Sequence, residues 1–303
     1  MIKLFTHTDL DGVGCAILAK LAFGNNVDIT YCDYDEINKA VADDLANYYE
    51  AVYITDISIN EELAELINES GKIYRLFDHH GTALGLNRYD WCRVVVELDG
   101  IKTSGTELFF KYLEETALLS PGESVYKFVE IVRNYDTWRW TTLTDGYICK
   151  QYNDLLYIYG RDEFINNMFI WLRMYNFPEL TEDQKSILVI RQREIDDYIN
   201  YKESQIISHN LYFDNRKYFM GIVFAEKYVS ELGNKLSERH PEFDFIAMID
   251  IGAGKVSYRT IKTNIDLGKD VAAAFGGGGH PQAAGSEFES SFVAESVFMD
   301  LFR

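Results

Sequence analysis

Short apolar runs alternate with helix-spaced apolar residues along the first third of the chain. The runs "IKLFT" (2–6), "VDITYC" (27–32), "AVYITDI" (51–57) and "KIYRLF" (72–77) are rich in β-branched and aromatic residues and short enough to predict strands. Between them, "VGCAILAKLAF" (13–23), "EINKAVADDLANYY" (36–49) and "NEELAELINES" (60–70) repeat apolar residues at helical spacing, the last behind Asn60 as a cap. Strand and helix in repeated alternation predict a mostly parallel sheet with helices on both faces. After Gly81 the pattern turns helical, in "TSGTELFFKYLEET" (103–116) and "ESVYKFVEIVRNY" (123–135). A polar, charge-mixed stretch at 181–204 predicts one long connecting helix. The strand pattern returns from about Leu211 in "KYFMGIVFA" (217–225), "FDFIAMIDIG" (243–252) and "KVSYRTI" (255–261). Helical "VSELGNKLSER" (229–239) and "DLGKDVAAAF" (266–275) accompany it. The expected class is α/β, with an N-terminal sheet domain over 1–180, a helical linker over 181–208 and a smaller α/β domain over 209–303.

Composition supports two cores and narrows the partners. The 303 residues are 47% hydrophobic and 15% aromatic, enough to bury a core in each domain. With 29 basic against 48 acidic residues the net charge is −19, which disfavours any grip on long nucleic acid through many phosphates. A solvated acidic surface accounts for part of the surplus, and only the positions of the acids decide the rest. Four scattered cysteines without C-x-x-C spacing read as reduced thiols. No stretch approaches the ~18 consecutive apolar residues of a membrane span, and no signal-peptide pattern opens the chain. The expectation is a cytoplasmic protein with no membrane partner.

Acids and histidines collect where the predicted strands end. His7, Asp9 and Asp11 follow the first strand, Asp56 the third, and Asp78, His79 and His80 the fourth. In an open parallel sheet these ends share one edge, where ligand sites form. Carboxylates with imidazoles and no thiolate suit a pair of divalent ions such as manganese. Two such ions ~3.5–4 Å apart can activate a hydroxide and stabilise a phosphoryl group, so phosphoester hydrolysis follows as a reaction class. Each residue also has a plain structural alternative. The H-x-D-x-D stretch serves equally as an Asx-rich helix cap, and Asp56 as a cap for the helix near Asn60. Of two adjacent histidines in extended chain, one normally faces a given ligand. Joint location at one edge is what favours the metal reading.

A second dense feature is "FGGGGHPQAAG" (275–285), in which consecutive glycines let backbone N–H groups approach a flat or anionic ligand and His280 follows as a donor. Such a run is also compatible with a flexible hinge. Upstream, Arg259 in "SYRT" closes a strand and suits bidentate phosphate contact.

The segments "HTDLDGVGC", "TDIS", "FDHH" and "NYDTW" resemble, in order, the four motifs of the DHH phosphoesterases. "VSYRT" with "FGGGGHPQAAG" resembles the DHH-associated domain of oligoribonucleases and RecJ-type exonucleases. The single residue between His7 and Asp9 resembles the nanoRNase branch described as oligoribonuclease type B. The resemblance implies that Asp9 and His7 hold one manganese ion, Asp11, His79 and Asp136 a second, and that Asp56 bridges the two. His80 then faces the scissile phosphate, and Asp78 orients the site or touches a metal. Asp136 enters only through the resemblance, since the pattern leaves it in a loop after a helix. Arg259, Gly277, Gly278, Gly279 and His280 would clamp the far end of a nucleotide, with cleavage in a cleft between domains.

The expected function is metal-dependent hydrolysis of short oligoribonucleotides to nucleoside 5′-monophosphates through a two-metal-activated hydroxide. The expected partner is short RNA or a small nucleotide, with no long duplex, and a homodimer is left open. The alternatives are a phosphatase or phosphodiesterase for 3′-phosphoadenosine 5′-phosphate or for linear or cyclic dinucleotides, and a non-catalytic nucleotide sensor. Tyr135, Trp138 and Trp140 beside Asp136 are expected as wall residues more than as base-stacking platforms.

Overall fold

A computed structural model of the chain describes residues 1–174, 179–214 and 216–289. They form two compact units, the first Met1–Leu188 and the second beginning at Val189. Residues 290–303, the end of the expected C-terminal domain, lie outside the described residues.

In chain order the first unit runs β1 (Ile2–Thr6), α1 (Leu10–Phe23), β2 (Val27–Tyr31), α2 (Ile37–Asp44), β3 (Ala51–Thr55), α3 (Glu61–Glu69), β4 (Tyr74–Asp78) and β5 (Cys92–Val94). A short hairpin follows, β6 (Glu97–Leu98) with β7 (Ile101–Lys102), then α4 (Gly105–Glu115), α5 (Glu123–Asp136), α6 (Tyr147–Tyr159) and α7 (Arg161–Arg173). The five main strands form a parallel sheet in the order β2-β1-β3-β4-β5. Every residue of β1 and β3 is buried, as expected of central strands covered on both faces. One face packs against α1 and α4–α7 around Phe109, Phe128 and Tyr152. The other carries Ile54 with Val41 of α2 and Ile67 of α3.

α8 (Glu182–Glu203) places Leu188 in the first of these cores and Ile195 and Ile199 in a core of the second unit. That unit continues with β8 (Ile207–Phe213), β9 (Arg216–Phe224), α9 (Val229–Arg239), β10 (Phe245–Asp250), β11 (Lys255–Arg259), β12 (Gly278–His280) and β13 (Ala283–Glu287). Its sheet is mixed, ordered β12-β13-β11-β10-β9-β8, with β9 and β10 parallel and the other neighbours antiparallel.

Four local expectations change. α2 stops at Asp44 rather than running to 49, because the Lys72 ammonium takes the carbonyls of Leu45 and Asn47 and closes the helix end. The segment 266–275 is a π turn (Leu267–Val271) followed by a 3₁₀ turn (Ala272–Phe275), ended by Gly276 in the left-handed region. Gly268 there lies so near Gly279 that an added Cβ would sit 2.4 Å from its carbonyl oxygen, a contact that irregular turns permit. The glycine run is no free loop either, since Gly278–His280 pairs as β12. Finally, Asp136 is the last residue of α5, not a loop residue.

Candidate metal centre

Parallel register builds the site's floor. Thr6 pairs with both Tyr31 and Thr55, and Thr55 with Phe77. The residues that follow along three neighbouring strands are therefore His7, Asp56 and Asp78, at one sheet edge. Thr55 Oγ1 donates to Thr6 Oγ1 at 2.9 Å and ties the two central ends together.

The turn into α1 then folds two acids back over that edge. Asp9 caps α1, its Oδ1 accepting from the amides of Asp11 and Gly12 at 3.1 Å each. Its other oxygen lies 3.1 Å from His7 Nδ1. Gly12 is required here, because a Cβ would stand 2.2 Å from the carbonyl oxygen of His7. Asp11 reaches the start of α4, where Oδ2 accepts from Gly105 N at 2.6 Å and Oδ1 from Thr106 N at 2.9 Å. Helix cap and cluster member are thus one role for Asp9, not alternatives.

His79 is the hub. Its Nε2 lies 3.3 Å from Asp56 Oδ1, 3.6 Å from Asp136 Oδ2 and 3.7 Å from Asp11 Oδ2. Asp56 itself holds φ +58, a left-handed backbone that side-chain-bearing residues rarely adopt, with its amide bonded to Phe77 O at 2.9 Å. His80 points elsewhere: Nδ1 meets Asp78 Oδ1 at 2.7 Å and Nε2 meets the Tyr34 hydroxyl at 3.1 Å. Asp78 also accepts from the His79 amide at 2.7 Å, the His80 amide at 3.3 Å and the Ser58 hydroxyl. Asp78 thus holds the His80 ring and the backbone amides of both histidines.

The electrostatics follow from packing acids together away from water. Burial, then Asp11, Asp9 and Asp136, push the Asp56 carboxyl well above its ordinary range. Burial, then Asp11 and Asp9, do the same to Asp136. Burial also works to raise Asp9, yet His7 beside it holds that carboxyl well below the usual carboxylate range. Burial and then His80 push His79 down, whereas for His80 the pull of burial is outweighed by Asp78, which carries it to about 9.

Among the described residues, three groups of potential ligand atoms lie within 4.8 Å of one another: His7, Asp9 and Asp56; Asp11, His79 and Asp136; and Asp56, Asp78, His79 and His80. Asp56 Oδ2 is buried and receives no hydrogen bond from any described residue. A buried carboxylate oxygen left so is costly, and a divalent cation relieves both that cost and the mutual repulsion. The donors are all carboxylate or imidazole, so the residues fit a hard or borderline divalent metal.

Around this centre, Tyr135, Trp138 and Trp140 pack on one another at 5.4–6.4 Å, with Tyr135 and Trp140 against the first core as wall residues. In the second unit, Arg259 pairs with Ala283 and Ala283 with His280, placing the two cationic-type side chains in one row across β11, β13 and β12. Burial lowers the Arg259 guanidinium to about 10, against a smaller opposing pull from Glu231. It donates to Tyr258 O at 2.9 Å and Ser230 Oγ at 3.1 Å. Gly277 and Gly279 make their close approaches to β13, where added Cβ atoms would stand 2.0 Å from Gly285 O and 2.7 Å from Ala283 O.

Sequence reasoning passed over Tyr34, Ser58, Gly12 and Gly105. Tyr34 carried a usable signal: β2 ends in register with β1, so the residues after Tyr31 approach the same edge.

No family model matches the chain. It is 38% identical to the oligoribonuclease NrnB of Bacillus subtilis (strain 168), across 100% of this chain and 78% of that protein. It is 23% identical to a 3′,5′-cyclic-nucleotide phosphodiesterase of Helicobacter pylori (strain ATCC 700392 / 26695), over 94% and 92%. RecJ of Thermus thermophilus, solved with Mn²⁺, shares the fold with a TM-score of 0.54 at 14% identity, over 96% of this chain and 50% of that one. Among the described residues no helix is long and apolar enough to cross a membrane. Motif order, parallel-sheet fold and full-length identity together place the chain in the DHH phosphoesterase family, as a hydrolase of phosphoester bonds.

Proposed function

We propose that this protein hydrolyses very short oligoribonucleotides from one end, in the cytoplasm, and releases nucleoside 5′-monophosphates. The observation that carries the reading is His79 Nε2 within 3.3–3.7 Å of three carboxylates, beside a second group made by His7, Asp9 and Asp56. Full-length identity to an oligoribonuclease supports the substrate class. A chain of net charge −19 fits a short substrate better than a long one.

On this reading Asp9 and His7 hold one divalent ion, Asp11, His79 and Asp136 another, with Asp56 common to both and manganese the preferred metal. Bound there, such ions supply charge neutralisation and polarisation at the phosphoryl group. The protein's own contribution is rigidity. The amides of Gly105 and Thr106 clamp Asp11, so its carboxylate needs no reorganisation. Asp78 fixes the His80 ring so that Nε2 is the atom offered to the scissile phosphate. In the second unit, acting as the substrate-binding domain, Arg259, His280 and the backbone of Gly277, Gly278 and Gly279 hold the far end of the nucleotide.

Manganese added to metal-stripped protein is expected to raise the melting temperature of the first unit, by the equivalent of ~2.7 kcal/mol at a hundredfold excess over its dissociation constant. The rise should reverse with chelator and shrink as pH falls, because Asp56 and Asp136 have raised pKa values and must shed protons to bind a cation. Scanning calorimetry with and without manganese decides it, and no shift at millimolar metal would remove the metal reading.

The substrate is tested with labelled RNA 2-mers to 20-mers, a DNA 5-mer, cyclic dinucleotides and 3′-phosphoadenosine 5′-phosphate, beside His79→Ala as control. Turnover confined to RNA of a few residues is the expected result. Preference for a cyclic or mononucleotide substrate would replace the proposal with the alternative that the Helicobacter relative suggests.

A further inference from the structure

Tyr34 contacts the histidine that the proposed function turns toward phosphate, and none of the motifs includes it. It sits on the turn after β2, which is pinned by its own hydrogen bonds. Asp33 O accepts from Glu36 N at 3.0 Å and Ile37 N at 3.1 Å, and Glu36 Oε2 accepts from Asp33 N at 3.1 Å. The Tyr34 ring lies 5.0 Å from the His7 ring and edge-on to His80 at 5.9 Å. Its hydroxyl reaches His80 Nε2 at 3.1 Å, while the far nitrogen of that ring is held by Asp78 at 2.7 Å. Because a carboxylate only accepts, Nδ1 carries a proton and Nε2 faces Tyr34.

Despite these contacts Tyr34 is 53% exposed. A tyrosine that merely braced a buried histidine would gain by covering its ring. Here a fixed turn holds the ring open to solvent with the hydroxyl aimed at the one nitrogen that the proposed function assigns to phosphate. A hydroxyl both accepts and donates, so it can take the proton of Nε2 at 3.1 Å while rotation about its C–O bond turns its own proton toward an incoming anionic oxygen.

We propose that Tyr34 is a phosphate-contacting residue, whose hydroxyl donates to a non-bridging oxygen of the substrate phosphate beside His80. The inference rests on the functional reading above for the identity of the ligand, and on the observed geometry for the contact. Charge-assisted hydrogen bonds of this kind discriminate by about tenfold or more.

The test is Tyr34→Phe, which keeps the ring against His7 and removes only the hydroxyl. Calorimetry measures the dissociation constant for adenosine 5′-monophosphate in the presence of manganese, kinetics measures kcat/KM on a diribonucleotide, and a thermal melt reports the fold. The expected result is a dissociation constant raised about tenfold and kcat/KM lowered by a similar factor, with the melting temperature unmoved. Tyr34→Phe that binds the monophosphate as tightly as wild type overturns the proposal, and so does a wild type that binds none. A lowered melting temperature with unchanged binding overturns it too, because the hydroxyl would then be purely structural. His80→Ala is measured in parallel: wild-type constants there refute the role given to His80, and absence of turnover on every substrate refutes the functional reading. In both cases the monophosphate affinity still decides Tyr34 by itself.

Discussion

The Asp56→Asn protein is expected to lose about a thousandfold or more of its phosphodiesterase rate, while its metal-free form melts at a higher temperature than wild type near neutral pH. The rate loss follows from position: Asp56 is common to two of the groups of potential ligands, and metal assistance worth ~4 kcal/mol corresponds to three decades in rate. The stability gain follows from linkage. Burial and the charges of Asp11, Asp9 and Asp136 raise the folded-state pKa of Asp56 above its unfolded value. Such a group stabilises the fold fully below the unfolded pKa, and that contribution disappears as pH rises through the folded one. Above the unfolded pKa the wild-type carboxyl is therefore a liability, because it ionises more readily in the unfolded chain, and the amide removes that liability. Asparagine also tolerates the left-handed backbone at this position, so the main chain has no reason to move. Melting curves without metal, recorded at acid and neutral pH, should separate the two proteins increasingly as pH rises. A variant that keeps wild-type turnover would sink the two-metal mechanism.

Gly105→Ala should cause the second large effect, and by a different route. An added Cβ would stand 2.5 Å from Asp56 Cβ, 2.7 Å from its Cα and 2.9 Å from its amide nitrogen. Those atoms are main chain or fixed to it, so no flexible side chain can swing aside. Gly105 N also donates to Asp11 Oδ2 at 2.6 Å, so the same methyl group pushes two cluster carboxylates off position. Overpacking of this severity costs ~3 kcal/mol, a fall of ~6–12 °C in the first unit's transition. The manganese-induced rise in melting temperature should shrink with it. A melt within ~2 °C of wild type, with the manganese shift intact, would mean that the approach of α4 to Asp56 is not a constraint.

How much of this could be read beforehand depends on whether a signal is local. The strands and their bordering helices were legible because apolar spacing and caps are local properties, as at Asn60, which accepts from Leu63 N at 2.9 Å. The edge location of His7, Asp56 and Asp78 was legible too, since parallel strands end on one side. The irregular turns at 267–275 were not, because a helical spacing of small residues does not reveal that Gly268 lies against Gly279. Nor was the commitment of Asp78, whose oxygens are taken by two amides, a histidine and Ser58.

By itself, then, the order of residues determined the parallel α/β plan, the strand ends that carry the acids, and the family motifs, all properties of short stretches and their periods. Only the tertiary structure decided that Asp11 is clamped by the start of α4 and that Tyr34 meets His80. Those facts join residues 46 to 95 positions apart. Side-chain direction and contact across such distances come from sheet register and helix packing, which no local pattern encodes.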